Sequence, residues 1–277
     1  MNTEEQEQLF LIKGSQDKNQ FNESDHSIHP LKSIQSILSM QSKLPIQSES
    51  LLSMLQPSPG ECILDVGCGN GALTAKIAAT GAITTGIDFS EESIAQAMEK
   101  YPELDFQTAD AGHYQTPERY DAVFSHAALH WMSDAPAVVQ TIQLALKEGG
   151  RLVTEFAGSG NTAILLHAVR DELLARGYSW EGRNPWYHPT VGEFSSLLEQ
   201  QGFRVLFIQH MDTIRPLKQG VRQWLSSFAS YLFRDIEPDE QEMIMENVEK
   251  KVEAQLCHEG QWNLDISRLR VVAIKGG

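Results

Sequence analysis

The sequence predicts an α/β protein built on a doubly wound parallel sheet with helices on both faces. Apolar segments of strand length alternate with helical segments from about residue 51 to residue 175. The first strand ends in a turn with glycine at alternate positions, Gly67, Gly69 and Gly71. The second ends in Asp88, 21 residues after Gly67. That spacing fits a carboxylate that binds a ribose.

The first strand and its loop predict a nucleotide-cofactor site. The strand at 63–66 contains Asp65 and leads into the glycine turn, and the following helix, from Ala72, directs its N-terminus at the bound group. Glycine tolerates positive φ and lets the backbone approach a ligand closely. Alone, the loop fits a dinucleotide, S-adenosylmethionine, or a tight turn without any ligand.

The ends of the next strands separate these possibilities. A third strand begins at residue 104 and ends in Asp110 and Ala111, and the run from Tyr120 to Trp131 is predicted to be a fourth strand that leads into a helix. A helix, a Gly-Gly pair and a fifth strand ending about residue 157 follow. Together with the loop at 65–71, this succession resembles the class I S-adenosylmethionine-dependent methyltransferases. A nicotinamide dehydrogenase gives no reason for the fourth-strand segment.

The resemblance implies a set of cofactor contacts. In that family the glycine loop packs against the methionine half of the cofactor, and the acidic residue after the second strand binds both ribose hydroxyls. The acidic residue after the third strand accepts from the adenine amine, and the next backbone N–H reaches a ring nitrogen. The implied cofactor-binding residues are Asp65, Gly67, Cys68, Gly69, Gly71, Asp88, Phe89, Asp110, Ala111 and Ser125.

The second half of the chain adds a helical insertion. A helix is predicted over 161–175, an aromatic loop over 178–189, a helix over 191–201 and a sixth strand over 203–212. Helical segments at 218–233 and 238–258 precede a last strand at 268–275. In the family this last strand lies antiparallel between the fifth and sixth, so the resemblance implies a Rossmann-like sheet of seven strands.

The predicted domain boundary lies near residue 45. Residues 1–45 are rich in Ser, Gln and charge and are predicted to be a flexible extension. Residues 46–277 are predicted to form the methyltransferase domain, with a helical substrate cap around 177–192 and 216–260.

Further cues resemble trans-aconitate methyltransferase-like enzymes. They are the run Ala127 to Trp131, the aromatic loop, Gln223-Trp224-Leu225, and Arg-Leu-Arg-Val-Val from residue 268. This resemblance covers residues 51–275 and implies methyl transfer to an oxygen of a small carboxylic acid. His130 is a departure, because those enzymes tend to carry Gln there.

Candidate catalytic residues flank the end of the fourth strand. His126 and His130 are candidates for a base or a hydrogen-bond anchor, and Trp131 for an acceptor wall or a ring facing the sulfonium. Each also fits a structural role in the core. A carboxylate acceptor needs no base because it is ionised at neutral pH, whereas a hydroxyl or carbon acceptor must lose a proton.

The aromatic loop supplies the predicted substrate-binding residues, Arg183, Trp186 and Tyr187. An arginine can hold an anion by bidentate pairing, and Arg215 and Arg222 are further candidates for that role. The alternatives are a solvated surface position for each arginine and plain packing between core and insertion for the two aromatic rings.

Composition favours a small-molecule enzyme. The formal net charge of −15 and the pI near 5.0 argue against nucleic-acid binding. No apolar segment approaches the roughly 18 residues that span a bilayer, and no signal-peptide pattern begins the chain. The three cysteines lack metal-ligand or disulfide spacing, which predicts no metal site and a reducing cytoplasm. The expected partners are a small-molecule acceptor and, at most, a second copy, as a monomer or homodimer.

Three alternatives remain open at this level. The first is methylation of carbon. The second is cyclopropane-synthase-like modification of lipid chains, for which the acidic composition offers little support. The third is a protein that binds S-adenosylmethionine without catalysis.

Overall fold

Strands and helices alternate through most of the chain. The computed structural model describes residues 49–117 and 119–276, so the predicted extension, residues 1–45, lies outside the described residues. The strands of the described residues are β1 (Cys62–Val66), β2 (Ile83–Asp88), β3 (Asp105–Thr108), β4 (Tyr120–His126), β5 (Leu146–Ala157), β6 (Phe203–Pro216), β7 (Cys257–His258) and β8 (Gln261–Lys275). Their α-helices are α1 (Glu49–Leu55), α2 (Ala72–Ala78), α3 (Glu91–Lys100), α4 (Ala135–Ala145), α5 (Ala163–Ala175), α6 (Val191–Gln200), α7 (Gly220–Phe228) and α8 (Pro238–Leu256), and 3-10 turns cover Leu129–Trp131 and Ser230–Phe233.

The main sheet has the strand order β3-β2-β1-β4-β5-β8-β6. Strands β1 to β5 are parallel neighbours, and β8 runs antiparallel to both β5 and β6. The prediction of a mixed sheet with the last strand antiparallel between the fifth and sixth is confirmed. Because the strands β1 to β5 are parallel, their carboxyl ends share one edge, where ligands bind in open α/β sheets.

Two hydrophobic cores cover the two faces of this sheet. Successive strand residues point to opposite faces, and Ile63 and Leu64 accordingly join different cores. One core packs β1, β4, β5 and β8 against helix residues of α4 and α6 that include Val138, Ile142, Phe194 and Leu198. The opposite core packs the sheet against α1 and α2 through residues that include Leu51, Leu55 and Ile77.

A third core belongs to the helical insertion. It joins α5, α7 and α8, the 3-10 turn at 230–233 and Leu264 near the start of β8. The predicted cap therefore takes in α5, which the sequence-based ranges had left out, while α6 packs on the sheet. We call α5, α7, the second 3-10 turn and α8 the cap.

Strands β6 and β8 are both longer than the predicted 203–212 and 268–275. They continue as a two-stranded ribbon that pairs Thr213 with Ile266 and Pro216 with Asn263. Leu264 is buried in the cap core and Ile266 packs against it, so the ribbon is stabilised by the insertion and not by the sheet. The alternation of apolar and polar residues is weak here, which is why the extension was not predicted.

The two predicted helices of the insertion are also corrected. The first, expected over 218–233, is interrupted at Ala229, where φ is −131° and the residue is buried beside the cap core. The second, expected over 238–258, ends at Leu256 because β7 pairs with β8 through a hairpin. Glu259 and Gly260 at its tip both have positive φ, as a two-residue hairpin loop of type I′ requires.

Neither a membrane segment nor a disulfide is found within residues 49–117 and 119–276. No helix there combines the length and apolar composition needed to cross a bilayer. Cys62, Cys68 and Cys257 are free thiols.

Candidate active site

The glycine loop after β1 needs glycine for two different reasons. Gly67, Gly69 and Gly71 all have positive φ, between 54° and 77°. A Cβ on Gly67 would lie 2.2 Å from Cβ of Ala128, and one on Gly71 would lie 2.7 Å from the ring of Phe106. A Cβ on Gly69 would meet no atom within 4 Å. Gly67 and Gly71 thus serve packing, while Gly69 borders open space.

Asp88 at the end of β2 holds this loop in place. Its Oδ2 accepts from the backbone N–H of Gly69 at 2.9 Å, and its Oδ1 accepts from the N–H of Ser90 at 2.9 Å. Each carboxylate oxygen has a second lone pair for a further donor. The ring of the neighbouring Phe89 is 80% exposed.

Asp65 lies beneath the loop and not on its open side. Its carboxyl group is buried, and Oδ2 accepts a hydrogen bond from the Thr74 hydroxyl of α2 at 2.6 Å. Burial raises the pKa of Asp65 to about 7, with the Thr74 bond opposing the shift. Ser125 of β4 is equally buried and donates to the Val66 carbonyl at 2.8 Å. Both residues position the loop from below.

The raised pKa of Asp65 gives a pH-dependent prediction. Its contribution to stability is fully present below the unfolded value of 3.8 and is lost as pH rises through about 7. Asp65→Asn keeps an acceptor for Thr74 and removes the titration. We therefore expect the Tm difference, variant minus parent, to grow between pH 4 and pH 8. Thermal melts across that range test it, and a constant difference would contradict the assignment.

The end of β3 carries the second exposed carboxylate of the loop region. Asp110 Oδ1 accepts from the Gly112 N–H at 2.8 Å, and Oδ2 lies 3.0 Å from His113 Nδ1. The His113 contact lowers the pKa of Asp110, which is therefore ionised at neutral pH. Ala111 is buried. Cys68 is also buried, and burial raises the pKa of its thiol, so it is not a reactive thiolate.

The segment after β4 packs directly on the glycine loop. Ala127 adopts a left-handed φ of 55°, a strained conformation for a residue with a Cβ. The following Ala128 fills the space that a side chain on Gly67 would need. This contact puts the 3-10 turn Leu129–Trp131, and with it two of the predicted catalytic residues, next to the cofactor loop.

His130 is buried and tied to the protein framework. Its Nδ1 lies 3.5 Å from the N–H of Ala157, and its backbone carbonyl accepts from the N–H of Tyr187 at 2.9 Å. Burial, with Arg268 and His188 nearby, lowers the pKa of His130 to about 3. An imidazole with that pKa is neutral at pH 7 and a weak base. The geometry favours a structural role for His130.

His126 belongs to a row of titratable side chains across the sheet. It pairs in register with Glu155 of β5, which pairs with Arg270 of β8. Arg270 donates through Nε to Glu155 Oε2 at 2.7 Å, and Nη2 donates to the same oxygen. Glu155 Oε1 lies 3.9 Å from His126 Nε2. Burial lowers the pKa of His126, against the opposing effect of Glu155.

Arg268 lies two residues before Arg270, opposite Ala157 at the end of β5. Its Nη1 donates to Asn161 Oδ1 at 2.7 Å and to the Ser267 carbonyl at 3.2 Å. Within the described part of the chain, Nε and Nη2 have no hydrogen-bond partner, and no carboxylate forms an ion pair with this guanidinium. Burial lowers its pKa, although an arginine remains charged at neutral pH. Two free donor nitrogens on a partly desolvated cation favour an incoming anion.

Trp131 begins an aromatic cluster that joins the sheet to the cap. Its ring centroid is 5.6 Å from that of Trp186 and 6.5 Å from that of Tyr231. Trp186 stacks on His188 at 5.8 Å with an interplanar angle of 10°, and lies 6.3 Å from Trp224 of α7. Trp131 remains 48% exposed. The cluster walls one side of the region beyond β4.

Arg183 has partners of its own within the fold. Nε donates to the Ser179 carbonyl, Nη1 to the carbonyls of Leu232 and Arg234, and Nη2 to Asp235 Oδ2. The guanidinium also lies 5.6 Å from the centre of the Tyr178 ring. Each donating nitrogen of the guanidinium is thus engaged. This arrangement ties the aromatic loop to the cap and differs from the predicted substrate contact.

The other two predicted anion ligands, Arg215 and Arg222, are exposed. Arg222 pairs with Glu242 at 2.7 Å and Glu249 at 3.1 Å on the surface of the cap. Arg215 is exposed on the β6–β8 ribbon, close enough to Arg268 to lower its pKa. Tyr187 packs against the sheet core.

Comparison with known proteins gives the family. A family model described as a methyltransferase domain matches residues 63–150. An uncharacterized methyltransferase of Schizosaccharomyces pombe is 30% identical over 244 residues, which cover 84% of this chain and 93% of that protein. The chain belongs to the class I S-adenosylmethionine-dependent methyltransferases. Trans-aconitate 2-methyltransferase of Klebsiella pneumoniae is 28% identical over 181 residues, 63% of this methyltransferase and 69% of that protein.

A solved structure agrees on the fold of this methyltransferase. Phosphoethanolamine N-methyltransferase 2 of Haemonchus contortus, in complex with phosphomonomethylethanolamine and S-adenosylhomocysteine, superimposes with a TM-score of 0.53 at 17% identity. The match covers 84% of this chain and 54% of that chain. The cofactor of the methyltransferase is S-adenosylmethionine.

The residues of the loop region fit this cofactor. Open space borders Gly69, and the carboxylates of Asp88 and Asp110 stand at the ends of neighbouring strands. Asp88 would accept hydrogen bonds from the ribose hydroxyls, and Asp110 would accept one from the adenine amine. The exposed Phe89 ring would cover an apolar face of the cofactor. Among the described residues, no group of His, Cys, Asp and Glu side chains could hold a metal ion.

The sequence-based prediction missed Arg268, Arg270 and Glu155 as site residues. A signal was present, because arginines two positions apart in a strand share one face. The last strand was interpreted as the closing element of the sheet and as a cue to the trans-aconitate methyltransferase-like subgroup, and no side chain of it was assigned to the site. Its register against β5, which brings Arg268 to the carboxyl end of the parallel strands, is visible only in the structure.

Proposed function

We propose that this methyltransferase transfers the methyl group to an oxygen of a small carboxylic acid. The observation that carries the proposal is Arg268, whose Nε and Nη2 are unengaged among the described residues at the edge of the sheet where β5 ends. A guanidinium fork matches the two oxygens of a carboxylate. Because the chain has a net charge of −15, its surface as a whole repels an anionic acceptor. An unpaired arginine therefore directs that acceptor to one place.

The protein's task in this reaction is orientation and exclusion of water. The methyl group that S-adenosylmethionine supplies is bound to a sulfonium sulfur, so the thioether is already a good leaving group. Arg268 would hold the acceptor, Trp131 and Trp186 would form one wall, and Ala128 fixes this wall against the glycine loop. Alignment of two bound reactants can supply roughly 7–11 kcal/mol of a barrier. An ionised carboxylate needs no base, which agrees with the low pKa of His130.

The similarity to a trans-aconitate 2-methyltransferase supports the same acceptor class, because trans-aconitate is a tricarboxylic acid. We extend the proposal to the trans-aconitate methyltransferase-like subgroup, a cytoplasmic location, and a monomer or homodimer without nucleic-acid or membrane partners. Trp131, Trp186 and Tyr187 stay as proposed acceptor contacts, and Arg268 takes the role first predicted for Arg183.

One observation favours a second acceptor class. His126 Nε2 lies 3.9 Å from Glu155 Oε1, a charge contact longer than a hydrogen bond, and His126 is neutral at pH 7 because burial lowers its pKa. Such a group could remove a proton from a hydroxyl or an activated carbon.

The pH dependence of turnover distinguishes the two classes. For a carboxylate acceptor, kcat should stay flat from about pH 6 to 8, because no proton leaves the nucleophile. His126→Ala should lower kcat by less than about tenfold, and the control His210→Ala, an exposed histidine of β6, should behave alike. The measurement is release of S-adenosylhomocysteine from a panel of carboxylic acids. A loss of about 10²-fold in His126→Ala alone, with an inflection below pH 6.5 in the parent, would reject the carboxylate.

A further inference from the structure

A cavity of about 260 Å³ lies between the loop after β5, the first turns of α5 and the aromatic loop. Its size falls just below the roughly 300–1,000 Å³ of pockets that hold drug-sized ligands. His188 lines it and is also a neighbour of His130, with ring centroids 6.2 Å apart. Asn161, another lining residue, accepts the hydrogen bond from Arg268. The cavity thus adjoins the proposed acceptor anchor.

Two amide groups of the cavity have their oxygens committed to the protein. Asn161 Oδ1 accepts from the Ser267 N–H at 3.2 Å and from Arg268 Nη1 at 2.7 Å. Asn184 Oδ1 accepts from the Trp186 N–H at 3.1 Å. These partners can only donate, so the assignment of amide oxygen and nitrogen is required by the chemistry. In the part of the chain that the structure describes, both Nδ2 groups are left as donors without a partner.

The remaining polar lining has the same character. Arg170 donates through Nε and Nη2 to Asp171, and its Nη1 has no partner among the described residues. His188 Nε2 is buried and has no hydrogen-bond partner within residues 49–117 and 119–276, and it donates when the neutral ring carries its proton on Nε2. None of the ten described residues that line the cavity is Asp or Glu, in a chain with 37 acidic residues. A polar cavity rich in donors and free of carboxylates suits a ligand group that presents acceptor oxygens.

We infer that this cavity binds a carboxylate group through the Nδ2 donors of Asn161 and Asn184 and through Arg170. The support for this site is the set of lining residues, and it does not depend on the proposed function. Two sources could supply the carboxylate: a second carboxylate of the acceptor held at Arg268, which rests on the proposed function, or a separate small carboxylic acid.

The test uses Asn184→Asp, which keeps the oxygen that accepts from Trp186 and replaces the free donor by an anionic oxygen. The control Gln200→Glu makes the same charge change at an exposed position of α6. Calorimetry on the full chain saturated with S-adenosylhomocysteine measures binding of trans-aconitate, a tricarboxylate, and crotonate, a monocarboxylate. Thermal melts check folding, and Arg170→Gln provides a second variant that leaves Asn184 intact.

We expect Asn184→Asp and Arg170→Gln to weaken trans-aconitate binding by about tenfold or more, because each loses a charge-assisted or anion-directed hydrogen bond. If these variants leave crotonate binding unchanged, the cavity binds a second carboxylate of the acceptor. If the variants instead lose a second trans-aconitate site per chain and methylation is unaffected, the cavity binds a separate small carboxylic acid. Equal binding by parent and Asn184→Asp, or no binding of trans-aconitate by the parent, would overturn the inference. Because binding is measured without turnover, a chain that binds trans-aconitate here but methylates no acid would refute the proposed function and keep the cavity site.

Discussion

Gly69→Ala is expected to weaken S-adenosylmethionine binding by at least about tenfold, or 1.4 kcal/mol, while the protein stays folded. The reason is that a Cβ at Gly69 meets no protein atom within 4 Å and would occupy the space left for the cofactor. The free energy of unfolding should decrease only by the cost of placing a residue with a Cβ at φ +54°, about 1–2 kcal/mol. Calorimetry with S-adenosylhomocysteine and thermal melts measure the two effects separately.

Two glycines serve as matched controls. Gly149 has φ +73° and open space around it, and it lies at the amino end of β5, the sheet edge opposite the glycine loop, so Gly149→Ala should cost similar stability and leave affinity unchanged. Gly67→Ala should instead act mainly on the stability of the fold, because its Cβ would overlap Ala128. We expect a loss of about 2–5 kcal/mol of stability there. Equal affinity losses in Gly69→Ala and Gly149→Ala would contradict the open cofactor space.

Arg268→Gln is expected to lower kcat/KM for the carboxylic acid by about 10- to 150-fold, the equivalent of 1.5–3 kcal/mol for hydrogen bonds to a charged group. The loss should appear mainly in KM, because the anchor holds ground state and transition state alike. Arg268→Lys should fall between parent and Gln, since it keeps the charge but not the fork. Steady-state kinetics at saturating S-adenosylmethionine provide the measurement.

The control for this variant is Arg204→Gln, which removes an exposed arginine of β6. It should leave KM unchanged, and cofactor affinity should be unchanged in both proteins. If Arg268→Gln and Arg204→Gln gave the same KM, or if Arg183→Ala raised KM while Arg268→Gln did not, the assignment of the anion anchor to Arg268 would be wrong.

The glycine loop and the strand ends around it were predictable because their signals are local. A glycine turn, a strand length and an acidic strand end each depend on a few neighbouring residues, and the structure brings Gly69 and Asp88 into hydrogen-bond contact. The role of Asp65 was less visible. Its burial under α2, and the Thr74 hydroxyl that it contacts, follow from helix packing that the loop motif does not encode.

The acceptor half depends on contacts between distant parts of the chain. Arg183 stands among aromatic residues in the sequence, yet the carbonyls that satisfy it come from residues 232 and 234. Arg268 reaches the site because β8 inserts beside β5, and its partner Asn161 is 107 positions away. Register between strands so far apart cannot be read from apolar periodicity, which reports only the face on which a residue lies.

The most direct test of the proposed acceptor is the chemical stability of the methylated product. The full chain is incubated with methyl-labelled S-adenosylmethionine and a panel of mono-, di- and tricarboxylic acids, and the labelled product is treated with mild base. A methyl ester is hydrolysed and releases its label as volatile methanol, whereas a methyl ether, an N-methyl or a C-methyl group does not. We predict that the label becomes volatile in the parent and that Arg268→Gln forms little labelled product. Label that stays in the product after base treatment would contradict methylation of a carboxylate.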